Sequence, residues 1–433
     1  MNKKLFVGPT LGNPQEPIIF SLDSDETYML TDQLTAEELK KDRAYTRDNS
    51  FYGFSVLSLT KKTDAIILDE SFKTVPHLVA WIQKIYRTLG LETTEDVYYA
   101  KPKHFHELAK KIAEEKGIGI ISTTCFSYIT ANTFPTQEYL TISKQLNAKT
   151  MLLDLSERYN FSIAKSLQIA KQEVTLEALA KLDFPEKALF VKSDGLGGGN
   201  NVVRIMSEDE LNNLLSKLPD LSNLLIQQEI SQEYVETTTT FTLYTDHIED
   251  MCIRGTMVDN VTWYGNIFFP IHLSNRQKQS LYNAAKAAQE IGYGADDGFL
   301  IGFDAFITEE DIKIIEINAR WLGSTPPEWL MKRLGILGTV TAVSSVDYVE
   351  NLEISKWQEF VEKYLYSANE NVAFSIIPLA FSAYEEENSI RMINFMILGD
   401  FEAFAQQAQK TFSEKSFPML PNSLKIFKKI VIR

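Results

Sequence analysis

Two carboxylates and an amide stand out in "IGFDAFITEEDIKIIEINAR", residues 301–320. Asp304 and Glu316 are equidistant from a polar turn at Glu310. A hairpin here would set them directly opposite each other, with Cβ atoms roughly 4.5–5.5 Å apart. Asn318 lies two residues beyond Glu316 and shares its face. The flanking Phe303, Ala305, Ile315 and Ile317 are apolar. Two carboxylates that close in such a setting repel unless a proton or cation lies between them. Two carboxylates and an amide oxygen suit magnesium, a hard cation that also takes phosphate oxygens, with manganese as the alternative. Arg320 follows on the same alternation and adds a cation. The competing reading is a solvent-facing hairpin edge, which Glu309, Glu310 and Asp311 fit well.

A second stretch, "FVKSDGLGGGNNVVRI" at 190–205, places Lys192 at the end of an apolar run, before Gly195, Gly197, Gly198 and Gly199. Backbone without Cβ atoms lets N–H groups converge on phosphate oxygens, and the lysine could reach the same group. No GK[ST] follows, so this is not a Walker loop. A strand follows where a dinucleotide fingerprint needs a helix. A plain surface loop is the alternative. His104 and His106 are two apart near a helix start and point to different faces. Trp81 and Trp357 sit in helical apolar stripes and read as core. Trp321 precedes "STPPEW", which cannot continue a strand and could line a substrate pocket.

Particular elements must position these groups. Before residue 148, "DAIIL" and "GIGIIST" read as buried strands, and "PHLVAWIQKIYRTLG" and "HFHELAKKIAEEKG" as helices. That alternation predicts an α/β layer with parallel strands. In the middle, "KALFVKS" and "NVVRIM" flank the glycine loop as strands. "SEDELNNLLSKL" opens with a capping box, Ser207 and Glu210. "NLLIQQEI", "TTTTFTLYTD" and "MCIRGTMVD" are further strands, and Ser274 caps a long helix. From 351 on, the sequence predicts a helix near "WQEFVEKYL", a strand "NVAFSIIPL" and a helix near "EAFAQQAQKTF".

The 433 residues carry a net charge of −15. Such a chain gains nothing from a nucleic-acid backbone or an anionic membrane, so neither is an expected partner. Cys125 and Cys252 make no CxxC pair, as in a reducing compartment. No run of 18 apolar residues occurs, and the apolar stretch after the basic start is too short for a signal peptide. The expectation is a soluble cytoplasmic protein.

These motifs resemble those of the ATP-grasp superfamily, which holds ATP between two α+β subdomains behind an N-terminal α/β domain. The resemblance covers about 145–325, fits 1–145 only in general character and hardly touches the tail. "LNAK", ending in Lys149, resembles the first phosphate lysine. Lys192 and the glycine loop resemble the second lysine and the loop that closes over the phosphates. "LLIQQEI" resembles the strand whose backbone meets the adenine edge, here Gln228, Glu229 and Ile230. Glu236 resembles the ribose-binding acid, with Glu233 as the competing choice. Asp304, Glu316 and Asn318 resemble the magnesium ligands, and Arg320 an arginine that binds phosphate or acyl phosphate.

Two features depart from the pattern. Gln227 and Gln228 stand where acidic or lysine residues are common. "LIGFD" lacks an arginine before the first metal carboxylate, which leaves Arg254 on a neighbouring strand either to steady the reacting carboxylate or to be a solvated strand residue. The length and "EINARWLGSTPP" are similar to the carboxylate–amine ligases, among them L-amino-acid ligases and pheganomycin-type peptide ligases. The resemblance implies a pre-ATP-grasp α/β domain at 1–148, a two-subdomain ATP-grasp α+β core at 149–350 and a small C-terminal α+β domain at 351–433. It implies ATP and magnesium as cofactors, and small-molecule carboxylate and amine substrates, an amino acid or peptide. The implied reaction forms an amide through an acyl phosphate, with release of ADP and phosphate. A phosphotransferase and a nucleotide-binding non-enzyme are the rival readings, and the oligomeric state is open.

Overall fold

The computed structural model describes residues 8–10, 16–22, 51–101, 104–122, 137–193, 202–218, 222–231, 234–259, 262–367, 372–384 and 389–412. Gly195, Gly197, Gly198, Gly199, Glu233 and Cys125 lie outside these residues.

The N-terminal part is a four-stranded sheet of β1 (Ile18–Ser21), β2 (Ala65–Asp69), β3 (Asp96–Ala100) and β4 (Gly119–Ser122), in the order β3-β2-β1-β4. Every pairing is parallel, as the strand–helix alternation implies. Its inner strands are continuous apolar runs, because helices cover a parallel sheet. Along the chain run α1 (Phe51–Ser55), α2 (Pro76–Thr88) and α3 (Phe105–Lys116). Helix α2 starts on Pro76 and buries Leu78, Val79, Ile82, Ile85 and Tyr86 on one face. Helix α3 stops at Gly117, whose φ of 66° is left-handed. His106 is buried against the Ser21 hydroxyl, 2.7 Å away, while His104 faces solvent beside Glu107. The two histidines thus part to different faces.

Helices α4 (Gln137–Asn147) and α5 (Met151–Tyr159) lead to a second sheet. It comprises β5 (Ser166–Ala170), β6 (Leu189–Ser193), β7 (Val202–Ile205) and β8 (Asn223–Gln228), ordered β5-β8-β6-β7 and fully antiparallel. With α6 (Leu176–Ala180) and α7 (Glu208–Lys217) it forms its own core of Leu179, Leu182, Phe184, Leu189, Val191, Ile205, Leu211, Leu224 and Ile226. At the start of α7 the Ser207 hydroxyl accepts from the Glu210 N–H. The Glu210 carboxylate takes the Met206 N–H instead of closing the box.

The third sheet has eight antiparallel strands: β9 (Val235–Leu243), β10 (Ile248–Asp259), β11 (Thr262–Phe268), β12 (Phe299–Ile307), β13 (Ile312–Asn318), β14 (Ala342–Glu353), β15 (Phe374–Tyr384) and β16 (Ser389–Gly399). Their order is β13-β12-β9-β10-β11-β14-β16-β15. Helix α8 (Asn275–Glu290) begins with a complete capping box, Ser274 with Gln277. Helices α9 (Thr325–Arg333), α10 (Ile354–Tyr364) and α11 (Phe401–Phe412) follow. The "STPPEW" segment that breaks the strand pattern is the start of α9, with prolines in the first turn. Trp81 and Trp357 pack edge to face in the core, 5.0 Å apart. The boundary expected near 148 falls between α4 and α5, whereas the one near 350 falls inside β14. Strands β14, β16 and β15 extend the same sheet that carries the acid–amide hairpin.

Candidate active site

The hairpin of β12 and β13 pairs Asp304 with Glu316 and Gly302 with Asn318, the register that the spacing about Glu310 implies. A bulge follows between Asp304 and Ala305 and shifts the rest of the hairpin by one residue. Strand β9 lies on the other side of β12, with Thr238 opposite Asp304. The Thr238 hydroxyl donates to Asp304 Oδ1 at 2.6 Å. Asn318 Nδ2 donates to Asp304 Oδ2 at 2.9 Å, and Arg320 Nη2 donates to Asn318 Oδ1 at 2.8 Å. Thr238, Asp304, Asn318 and Arg320 therefore form one hydrogen-bonded chain. Sequence reasoning missed Thr238. It lies in "TTTT", a run that reads as strand-forming and gives no local sign that one hydroxyl meets a carboxylate 66 positions away.

Two lysines complete the cluster. Lys192, at the end of β6 in the small sheet, is buried, and its Nζ donates to the Ile315 carbonyl of β13 at 3.1 Å. Lys149, between α4 and α5, is buried close enough to disfavour a second charge on Lys192. The two sheets are also tied by the chain entering β5. The Ser162 carbonyl accepts from Ile314 N–H at 2.8 Å, and the Lys165 carbonyl accepts from Gln228 N–H at 2.9 Å.

The electrostatics follow from this crowding. Burial pushes the Asp304 carboxyl up to about 6, and the facing Glu316 pushes in the same direction; Thr238, Arg320 and Asn318 hold it back. Glu236 shares a face of β9 with Thr238 and keeps only a little surface. Burial, with the repulsion of Asp304 and Glu316, raises it to about 8 against the pull of Lys192. Burial lowers Lys192 to about 8, and Lys149 adds to this, while Glu316, Glu236 and Asp304 oppose it. A cluster of three or more His, Cys, Asp or Glu side chains arranged for an ion is absent among the described residues. The candidate set is two carboxylates and an amide. Its donors are all oxygens and its carboxylates face each other, which fits a hard divalent cation.

The other expected residues are placed differently. The Gln228 side chain donates to Asp183 Oδ2 and the Leu182 carbonyl, and Gln227 donates to the Ser166 hydroxyl. Glu229 holds Arg204 through both carboxylate oxygens, at 2.7 and 3.0 Å. The Gln228 and Glu229 N–H groups bind the Lys165 and Ala188 carbonyls. These two N–H groups are thus already taken within the fold. Arg254 has no exposed surface. Its Nη1 donates to Glu328 Oε2 at 2.6 Å and to the Thr240 hydroxyl at 3.2 Å. It is thus neither a solvated strand arginine nor one open to a substrate. Trp321 is buried too, its Nε1 donating to the Thr10 carbonyl at 3.2 Å.

No protein-family model matches the chain, and no curated protein sequence matches it significantly. Solved structures do. The biotin carboxylase from Campylobacter jejuni, solved as a β,γ-ATP complex, aligns with a TM-score of 0.53 at 11% identity, over 92% of this chain and 90% of its own. A carboxyaminoimidazole ribonucleotide synthase from Aspergillus clavatus, complexed with ATP, gives 0.52 at 11% identity, over 96% and 99%. The L-amino acid ligase from Bacillus licheniformis gives 0.50 at 11% identity, over 92% and 98%. At such identities the likeness speaks for the fold. It is the ATP-grasp fold implied by the sequence motifs.

Proposed function

From the ATP-grasp fold of this chain, we propose an ATP-dependent ligase that joins a carboxylate to an amine. The observation that carries this reading is Lys192. It stands on the small sheet, yet bonds to the backbone of β13 at Ile315, next to Glu316, the acid paired with Asp304. A triphosphate lying there would have a lysine from one sheet and the acid–amide set from the other on the same terminal phosphates.

In this reading Lys149 and Lys192 bind phosphate oxygens, and Glu236 orients the ribose. Backbone near Gln228, Glu229 and Ile230 receives the adenine, and the loop with Gly195, Gly197, Gly198 and Gly199 covers the phosphates. Asp304, Glu316 and Asn318 would hold magnesium, which would supply positive charge against the phosphate oxygens. The γ-phosphoryl group passes to the substrate carboxylate, giving an acyl phosphate and ADP. The amine attacks the acyl carbon, and phosphate leaves. The protein supplies positioning and charge, with no covalent nucleophile of its own. Arg320, already hydrogen-bonded to Asn318, stabilises the group in transfer. Arg254 acts at one remove, by fixing Thr240 and α9 behind the metal set.

The test is ATP-dependent phosphate release over pairs of amino acids, with products weighed by mass spectrometry. The expected result is ADP and one phosphate per amide bond formed. AMP as sole nucleotide product, or a phosphorylated hydroxyl compound without amide, would overturn the reading.

A further inference from the structure

Strand β9 presents alternate residues to two faces of the large sheet. Thr238 and Thr240 point to the candidate active site, so Thr239 and Phe241 point away from it. On that rear face lies a cleft of about 550 Å³ between β9, β10 and the first two turns of α8. Clefts of roughly 300–1,000 Å³ accommodate small organic ligands.

Three features of this cleft point to a ligand. Its apolar lining includes Phe241, Ile253 and Leu281, with the ring of Tyr282 at the mouth, 44% exposed. Thr239, only 6% exposed, lines it with a buried hydroxyl that has no hydrogen-bond partner among the described residues. A buried hydroxyl left unsatisfied costs free energy that an acceptor would recover. Charge is the third feature. The chain carries −15 overall, yet among the described residues no acidic one lines the cleft. Lys278 stands exposed at its rim and forms no ion pair among the described residues. Asn275, the first residue of α8, also lines it, which brings the positive end of that helix to the mouth.

We propose that this cleft is a second binding site, for a small monocarboxylate with an apolar body and a hydrogen-bond acceptor at its far end. The carboxylate sits at the rim with Lys278. The body lies on Phe241, Ile253 and Leu281, and the acceptor takes the Thr239 hydroxyl. The site is behind the sheet and shares no residue with the acid–amide set.

Titration calorimetry on the full chain with 7-oxooctanoate tests this, with octanoate lacking the acceptor and 2-octanone lacking the charge. Saturable one-to-one binding of the keto acid in the low-millimolar range or tighter is expected. Octanoate and 2-octanone should each bind several-fold more weakly. Lys278→Glu, at an exposed position, should weaken the keto acid about tenfold and leave 2-octanone unchanged. Thr239→Val should bring the keto acid down to the level of octanoate. Absence of saturable keto-acid binding, or binding indifferent to Lys278→Glu, overturns the proposal. So does light scattering that shows a dimer lost in Lys278→Glu, since a second copy would then cover the cleft.

Discussion

Asp304 is held by three neighbours of different kinds: a hydroxyl, an amide and, through the amide, a guanidinium. Removing the acid opposite it should therefore act on metal and nucleotide rather than on folding. Glu316→Gln keeps the shape and removes one anion. It is expected to lower turnover and magnesium affinity by roughly 10–100-fold or more, read as phosphate release against magnesium concentration. Unchanged metal dependence would count against the assignment. Protonation gives a second handle. Asp304 and Glu236 are raised to about 6 and about 8, from ordinary values of 3.8 and 4.5. A raised carboxyl binds its proton more tightly folded than unfolded. That stabilisation is complete below the unfolded value and is lost as pH rises through the folded one. The ligand-free protein should thus lose stability from about pH 4 to pH 8 on account of these two groups. Glu236→Gln should flatten the upper part of that window in a series of thermal melts. A melting curve indifferent to pH across it, in wild type and variant alike, would show these acids to be solvated.

At the scale of elements, the sheet depends on close backbone approach at a few points. A Cβ added at Gly265 of β11 would lie 2.2 Å from the Ser344 carbonyl of β14 and 2.5 Å from Met257. The carbonyl cannot swing away without parting the two strands. Gly265→Ala is expected to cost about 1–3 kcal/mol, measured by denaturant unfolding. A neutral result would mean that β11 and β14 can separate freely. The Arg254–Glu328 pair ties β10 to α9, with both side chains almost fully buried. Arg254→Ala takes the short ion pair from the buried Glu328, which keeps only the Thr240 hydroxyl and Lys332 at 3.9 Å, and should cost roughly 3–5 kcal/mol. Replacing both partners together by apolar residues should cost much less. Among the described residues Arg254 Nε and Nη2 have no hydrogen-bond partner.

At the scale of the molecule, the C-terminal strands belong to the sheet that carries the acid–amide hairpin. Ending the chain at residue 340 would leave β11 as a bare edge, because β14 covers it through Gly265–Phe268. Exposed edges template pairing with other chains. The 1–340 fragment is expected to aggregate on size-exclusion chromatography, whereas a self-contained C-terminal domain would leave it monomeric. The small sheet differs, since it has an apolar cluster of its own.

How far the sequence reaches follows from what is local. The β12–β13 hairpin was legible because its two strands are joined by a short turn, so one symmetry about Glu310 fixes which residues face each other. The parallel N-terminal sheet was legible from alternation of apolar runs and amphipathic helices. Lys192 stood out because glycines follow it. Strands β14 and β16 went unread. Their mixed runs, "AVSSVDYVENLE" and "SIRMINFMILG", show no clean alternation, because consecutive residues of both strands are buried. Partners far apart in the chain were out of reach for the same reason. Thr238 on Asp304, Glu328 on Arg254 and Lys192 on the Ile315 carbonyl are separated by 66, 74 and 123 positions. Spacing determines what a residue can do next to its neighbours in the chain. Only the packing of the two sheets decided that Arg254 is sealed in an ion pair and that two lysines and three acids share one cluster.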